Sequence, residues 1–230
     1  MIQIKKLTKV YPNGYELFKE LDLFIGENEF VFLVGPSGSG KSSLLNIFFL
    51  LESITSGYVY IDNVCLNHLK SYQIPYLRRN IGFVFQDFKL LLNRSVFENV
   101  AYALRILNFS RRQISSQVRQ VLDLVGLQHR IYDISGNLSG GEQQRLCIAR
   151  AIVNNPAILL ADEPTGNLDP DASEEIIQLL SKINARHTTV LVATHDQMIV
   201  NKMRKRVVVL NKGTIIRDQQ FGTYAEVLSV

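Results

Sequence analysis

Residues 30–45 read FVFLVGPSGSGKSSLL, and this stretch decides how the chain is read. Phe30 to Val34 is a continuous apolar run, as a strand buried on both faces of a parallel sheet would be. It ends at Gly35. Residues 35–42 (Gly35, Pro36, Ser37, Gly38, Ser39, Gly40, Lys41 and Ser42) fit the pattern G-x-x-x-x-G-K-[ST]. Residues 41–51 then read as a helix packed on the strand. The glycines let the backbone curl and aim its N–H groups at phosphate oxygens. The helix beginning near Lys41 adds its positive dipole end. Lys41 places a charge on the β- and γ-phosphates of a nucleotide, and the Ser42 hydroxyl is a ligand for Mg²⁺. The alternative is a Gly-rich turn without a ligand; the strand before it and the helix after it argue against that.

Two segments downstream extend the chemistry. Residues 158–164, ILLADEP, form an apolar strand ending in two carboxylates. Asp162 is placed to partner a Mg²⁺ beside the phosphates. Glu163 is the candidate base that polarises an attacking water. Residues 138–145, LSGGEQQR, open a helix at Gly140 and Gly141, so Ser139 and these glycines make a second anion element. A single site needs only one such element. The economical arrangement is a head-to-tail dimer in which the second element completes the partner's site.

Around these motifs the chain reads as one α/β domain with a helical insertion. Its 230 residues allow one or two domains. A composition of 47% hydrophobic and 20% charged residues excludes extended disorder, collagen and disulfide scaffolds. A net charge of +4 is too mild to point by itself to nucleic acid or membrane. The two cysteines, Cys65 and Cys147, lack metal spacing and are expected as small buried apolar residues. The densest apolar cluster, Ile47 to Leu51, is far too short for a membrane span, and MIQIKKLTKV carries no signal-peptide core. If the protein works at a membrane, another chain must hold it there. Residues 1–10 alternate as an edge strand would, and Tyr58 to Ile61 reads as another strand. Helical patterns cover 95–107, 111–125 and 141–153. Strands at 158–161 and 190–193 flank a helix at 171–183, the spacing of a parallel sheet with crossovers. A last strand pair, 207–210 and 214–217, surrounds Asn211-Lys212-Gly213.

The ordered set of phosphate loop, LSGGE, ILLADE, Asn167-Leu168-Asp169 and His195 resembles the ATP-binding-cassette (ABC) family along essentially the whole chain. The resemblance implies an α/β P-loop NTPase fold of ABC type. That fold has a mainly parallel core sheet, an N-terminal antiparallel β part and a helical subdomain inserted between the Q-loop and the signature segment. It implies one nucleotide-binding domain over 1–230, with the core at about 1–87 and 156–230 and the helical subdomain at about 88–155. It implies ATP and Mg²⁺, with the metal at Ser42, Gln86 and Asp162. Tyr11 would stack on adenine, unless it is simply a loop aromatic. The loop from Gly35 to Ser43 would hold the phosphates. Ser139, Gly140, Gly141 and Glu142 would reach nucleotide across a homodimer formed on ATP binding, and Asp169 would bridge the subunits. His195 would contact the γ-phosphate and hold Glu163 and the water; a buried structural histidine is the other reading.

Within the family, TKVYPNG (8–14), RRNIGFVFQDFKLL (78–91) and RAIVNNP (150–156) resemble the cell-division branch. That implies an integral membrane partner of FtsX type whose external region controls cell-wall hydrolases. This chain would then sit peripherally on the cytoplasmic face of the cell membrane, at the division site. ATPases of lipoprotein release or macrolide export share GEQQR and ADEPTGNLD and are the alternative. A DNA-maintenance ATPase would carry long heptads before the signature; none are sustained here, so no nucleic-acid partner is expected. Residues 86–94 would receive a cytoplasmic helix of the partner, with Leu90, Leu91 and Leu92 offering apolar contact or else belonging to the core. The pairs Arg78-Arg79 and Arg111-Arg112 read as a solvated face rather than a lipid contact. Ser43 in place of threonine, Asn137 before LSGGE, no proline in 132–136 and none before Thr55 depart from the family pattern without touching a catalytic residue.

Overall fold

The computed structural model describes residues 1–224. In chain order its elements are β1 (Ile2–Val10), β2 (Glu16–Ile25), β3 (Phe30–Val34), α1 (Lys41–Phe48), β4 (Ser56–Ile61), β5 (Val64–Cys65), α2 (Ile74–Arg78) and β6 (Ile81–Val84). Three long helices follow, α3 (Val96–Ile106), α4 (Arg111–Leu124) and α5 (Gly140–Ile152). The chain then returns through β7 (Ile158–Asp162), α6 (Pro170–Asn184), β8 (Thr189–Thr194), α7 (Gln197–Met203), β9 (Arg206–Asn211) and β10 (Thr214–Gln219).

The strands form two sheets. The larger has the order β10-β9-β3-β8-β7-β6, parallel from β9 to β6 with β10 antiparallel at its edge. Every residue of β3, β7 and β8 is buried, which is why these strands read as unbroken apolar runs. The smaller sheet is antiparallel, in the order β2-β1-β4-β5. Here the structure corrects the sequence reading. β1 is interior, pairing with both β2 and β4. Its alternation reports one buried and one solvated face, a pattern that does not distinguish an edge from a centre.

One apolar core lies between the two sheets and takes in α1; the other covers the opposite face of the large sheet and unites α3, α4 and α5 with α6. The helical insertion therefore shares its interior with the sheet it stands on. Gly82 of β6 permits that contact: a Cβ there would come within 2.6 Å of the Ala151 carbonyl oxygen at the end of α5.

Three further expectations change. α1 stops at Phe48, short of residue 51, and Leu50 takes a left-handed φ of 59°. Arg78 closes that end by donating Nε to the Phe49 carbonyl and Nη2 to that of Leu50, both at 3.0 Å. A cation on orphan helix carbonyls is a stable pairing, so Arg78 is a cap rather than part of a solvated face. Arg79, Arg111 and Arg112 are exposed. Cys147 is buried as expected, but Cys65 is half-buried on the short β5.

Candidate nucleotide-binding site

The phosphate loop is shaped by contacts that only glycine allows. A Cβ on Gly35 would lie 2.0 Å from the Leu210 carbonyl oxygen of β9. Gly40 has φ 105°, and a Cβ there would meet the Phe18 ring at 2.7 Å. Because Gly40 is the N-cap of α1 and offers no side chain, the amides of the first turn are left for an anion. Lys41 is only 7% exposed. Its Nζ donates to the carbonyls of Gly35 (2.8 Å) and Pro36 (3.1 Å). Burial pulls its pKa down, against the opposing pull of Glu163 and Asp162.

At the end of β7 the two carboxylates take different surroundings. Asp162 is 8% exposed and accepts a hydrogen bond from Ser42 Oγ at 2.9 Å. Burial raises its pKa; the Ser42 hydrogen bond and Lys41 oppose that. Glu163 has left the strand, at φ 45°, a conformation disfavoured for a side chain of its kind. Its N–H donates to the Ala193 carbonyl at 2.9 Å and its carbonyl accepts from Gly166 N–H at 3.1 Å. Glu163 Oε1 lies 2.9 Å from His195 Nδ1. Glu163 Oε2 is buried with no hydrogen-bond partner, and so is Ser39 Oγ. Buried oxygens without partners are rare; beside a phosphate loop they fit a ligand and a water. The His195 side chain is 67% exposed, which removes the buried structural reading.

Tyr11, Ser37, Gly38, Lys41, Ser42, Ser43, Gln86, Glu163 and His195 line one cavity of about 570 Å³, together with Tyr15 and Leu17, which the sequence did not single out. The Tyr11 hydroxyl donates to Glu52 at 2.9 Å and bonds with Ser43 Oγ at 3.0 Å. The Lys9 ammonium lies 4.9 Å from its ring centroid. Lys9 is itself buried and donates to the Ser53 carbonyl at 2.7 Å. The ring is thus fixed by polar contacts. Neither Lys9 nor Glu52 was singled out from the sequence.

The donors near the phosphate loop suit a hard cation. Ser42, Asp162 and Gln86 all offer oxygen, and among the described residues no group of three or more His, Cys, Asp or Glu could cage a metal. Mg²⁺ is commonly held in this way, by one or two protein oxygens together with substrate phosphates.

The second anion element lies elsewhere. Ser139 caps α5 in a reciprocal box: Glu142 N–H donates to Ser139 Oγ, and Glu142 Oε2 accepts from Ser139 N–H at 2.9 Å. Glu142 Oε1 pairs with Arg130 at 3.3 Å. The Ser139 N–H, first among several contacts, holds the Glu142 carboxyl below its usual range. Glu142 is therefore engaged within its own chain. Ser139 and Gly140 are exposed, and no residue of 139–142 lines the cavity. Gly140 instead adjoins Leu168 and Asn167, and Asp169 caps α6 by accepting from Ala172 N–H at 2.9 Å. The signature adjoins the 167–169 turn, and neither segment lines the cavity.

Beyond Gln86, Leu91 and Leu92 are exposed, while Leu90 packs partly against the core. The two exposed leucines line a groove of about 500 Å³ with Arg94, Glu98, Tyr102 and Arg105. Asn99, fully buried, holds the groove's backbone by accepting from Leu91 N–H at 2.8 Å and donating to the Leu91 carbonyl at 3.1 Å. Among the described residues no helix is long and apolar enough to cross a membrane.

Comparison with known proteins agrees with this geometry. The sequence profile of the ABC transporter family matches residues 18–166. The cell division ATP-binding protein FtsE of Bacillus subtilis (strain 168) is 49% identical over 97% of this chain and 98% of its own. FtsE of Escherichia coli (strain K12) is 41% identical over 93% of this chain and 96% of its own. Among solved structures, the dimeric post-hydrolysis state of the ATP-binding cassette MJ0796, bound to ADP and Pi, superposes with a TM-score of 0.87 at 39% identity. That likeness covers 97% of this chain and all of the other.

Proposed function

The chain belongs to the ABC transporter family, in the branch of the FtsE cell-division ATP-binding proteins, and from that premise we propose that it is an Mg²⁺-dependent ATPase that dimerises head to tail around two ATP molecules and drives an FtsX-type membrane partner controlling cell-wall hydrolases. One observation carries the reading: a single chain holds a phosphate cavity with an unpartnered carboxylate oxygen, while its second anion element stands exposed on another surface.

Each residue then has a task. The loop amides and Lys41 bind the phosphates. Tyr11, braced by Lys9, Glu52 and Ser43, presents its ring to adenine. Ser42, Asp162 and Gln86 hold Mg²⁺, which when bound neutralises charge on the phosphate oxygens. His195 donates Nδ1–H to Glu163 Oε1, leaving Oε2 to orient a water and take its proton. Ser139, Gly140, Gly141 and Asp169 serve the partner's site, with Glu142 fixing the Ser139 cap. The groove at Leu91 and Leu92 receives a cytoplasmic helix of the membrane partner, and the chain acts peripherally at the cytoplasmic face of the division-site membrane.

The test is a pull-down from detergent-solubilised membranes, with Glu163→Gln bait held in ATP and Mg²⁺. The variant is expected to bind ATP but lose turnover by roughly 10² to 10⁴, the usual contribution of a positioned base. A permease with an external domain that engages cell-wall enzymes should co-purify. Recovery of an exporter permease instead would move the chain to the transport branch. Undiminished turnover would remove Glu163 from the mechanism.

A further inference from the structure

The segment joining Gln86 to the helical insertion is bent in a way its residues do not favour. Phe88 and Lys89 are consecutive left-handed residues, at φ 59° and 53°, and neither is glycine or asparagine. Two side chains of α5 converge on their carbonyls. Arg150 donates Nη2 to the Phe88 carbonyl at 2.7 Å and Nη1 to the Lys89 carbonyl, and Cys147 Sγ donates to the Phe88 carbonyl at 3.1 Å. Cys147 and Arg150 are three residues apart and share one helix face. Arg150 makes no ion pair among the described residues, although burial pulls its pKa down. A half-buried guanidinium whose hydrogen bonds all go to main-chain carbonyls shapes the backbone; charge-assisted bonds of this kind are the strong ones.

The rest of the loop is tied to the same side. Asn99 of α3 and Ser135 Oγ both bond the Leu91 carbonyl, the latter at 2.9 Å. Gln86 therefore stands between two anchors: β6, which belongs to the sheet, and Phe88–Lys89, which belongs to α5. The N-terminus of α5 is the signature itself.

We propose that Arg150, assisted by Cys147, is a positioning residue: it clamps the left-handed turn at Phe88–Lys89 to the signature helix and so sets where the Gln86 side chain meets Mg²⁺. A displacement of α5 is thereby passed to Gln86 through main-chain carbonyls. The inference rests on the proposed role of Gln86 as a metal contact.

The experiment uses the full chain as Arg150→Gln, Arg150→Lys, Cys147→Ala and Gln86→Ala, with three readouts. These are amide hydrogen exchange over residues 85–90 without nucleotide, the Mg²⁺ concentration for half-maximal turnover, and ATP affinity in EDTA. Arg150→Gln should speed exchange in 85–90 roughly tenfold, since a local opening loses charge-assisted hydrogen bonds, with α6 peptides unchanged. It should raise the Mg²⁺ requirement several-fold, as Gln86→Ala should, and leave metal-free ATP affinity within about twofold. Arg150→Lys should recover part of both effects. Cys147→Ala should shift them in the same direction by less, and with Arg150→Lys it decides the matter should Arg150→Gln fail to fold. Unchanged exchange over 85–90 overturns the clamp. So does an equal loss of metal-free ATP affinity, which marks general damage. If Gln86→Ala leaves the Mg²⁺ requirement unchanged, the metal-contact reading fails and with it the link from clamp to metal, while the exchange result still judges the clamp.

Discussion

Asp162 shows how a site residue works against the stability of its own fold. Its carboxyl is buried at the end of β7, and burial raises its pKa above its ordinary value. A raised folded pKa means that the native state holds the proton more tightly than the unfolded chain does. The associated stability is present below the ordinary pKa and is lost as pH rises through the raised one. In the nucleotide-free chain only the Ser42 hydroxyl and the charge of Lys41 offset the cost of ionising this buried carboxylate. Asp162→Asn keeps the shape and an acceptor for Ser42. It is expected to raise Tm at pH 7, to lose that advantage near pH 4, and to abolish Mg²⁺-dependent turnover. A Tm difference that stays flat with pH would contradict this, and scanning calorimetry across the range reads it directly. Asp162 and Glu163 stood out as candidates because two adjacent carboxylates close one apolar run, the first ending β7 and the second just beyond it. The braces around Tyr11 did not, because Lys9 reaches Ser53 and Tyr11 reaches Glu52 across more than forty positions of sequence, and no local period encodes such a pair.

The signature helix depends on its first turn. Ser139 and Glu142 satisfy each other's N–H groups, and Ser139→Ala should cost about 1 kcal/mol in a urea titration at pH 7. Glu142 adds a pH dependence of the opposite sign to that of Asp162. Its folded pKa is depressed, chiefly by the Ser139 N–H, so its contribution is present above the unfolded pKa and fades as pH falls through the folded one. Glu142→Gln should therefore be less stable than the parent at pH 7 and indistinguishable from it once the pH is below the depressed value. Elements with strong signals were legible almost to the residue: the buried strands β3, β7 and β8, and α3, whose start is marked by the capping pair Ser95 and Glu98; the buried β6, only four residues long, was not read. The errors fell where local pattern and tertiary role part company. β1 alternates whether it lies at an edge or in the middle of its sheet. α1 ends three residues early where Arg78, 29 and 28 positions downstream of Phe49 and Leu50, supplies the cap; Phe49 and Leu50 pack against the core without being helical, and Leu51 is exposed.

At the scale of the whole molecule, no residue of 139–142 or of 167–169 lines the phosphate cavity, so twofold pairing that brought the signature of one chain to the cavity of the other would create two composite sites at once. That arrangement predicts complementation. Lys41→Ala disables a chain's own phosphate loop and leaves its signature intact. Gly140→Asp does the reverse. The backbone at Gly140 has no positive φ, a Cβ there meets nothing closer than 3.7 Å, and a carboxylate in the first turn of α5 favours the helix, so the variant should fold. What it adds is a negative charge where the partner's phosphates would sit. Each variant alone should be inactive, because both composite sites of either homodimer carry the lesion. In a one-to-one mixture, half of the paired chains are mixed dimers if association is random. Every mixed dimer holds one site with both lesions and one with neither. Turnover should therefore return to about a quarter of the wild-type rate if the two sites act independently. If each chain hydrolysed ATP alone, mixing would restore nothing.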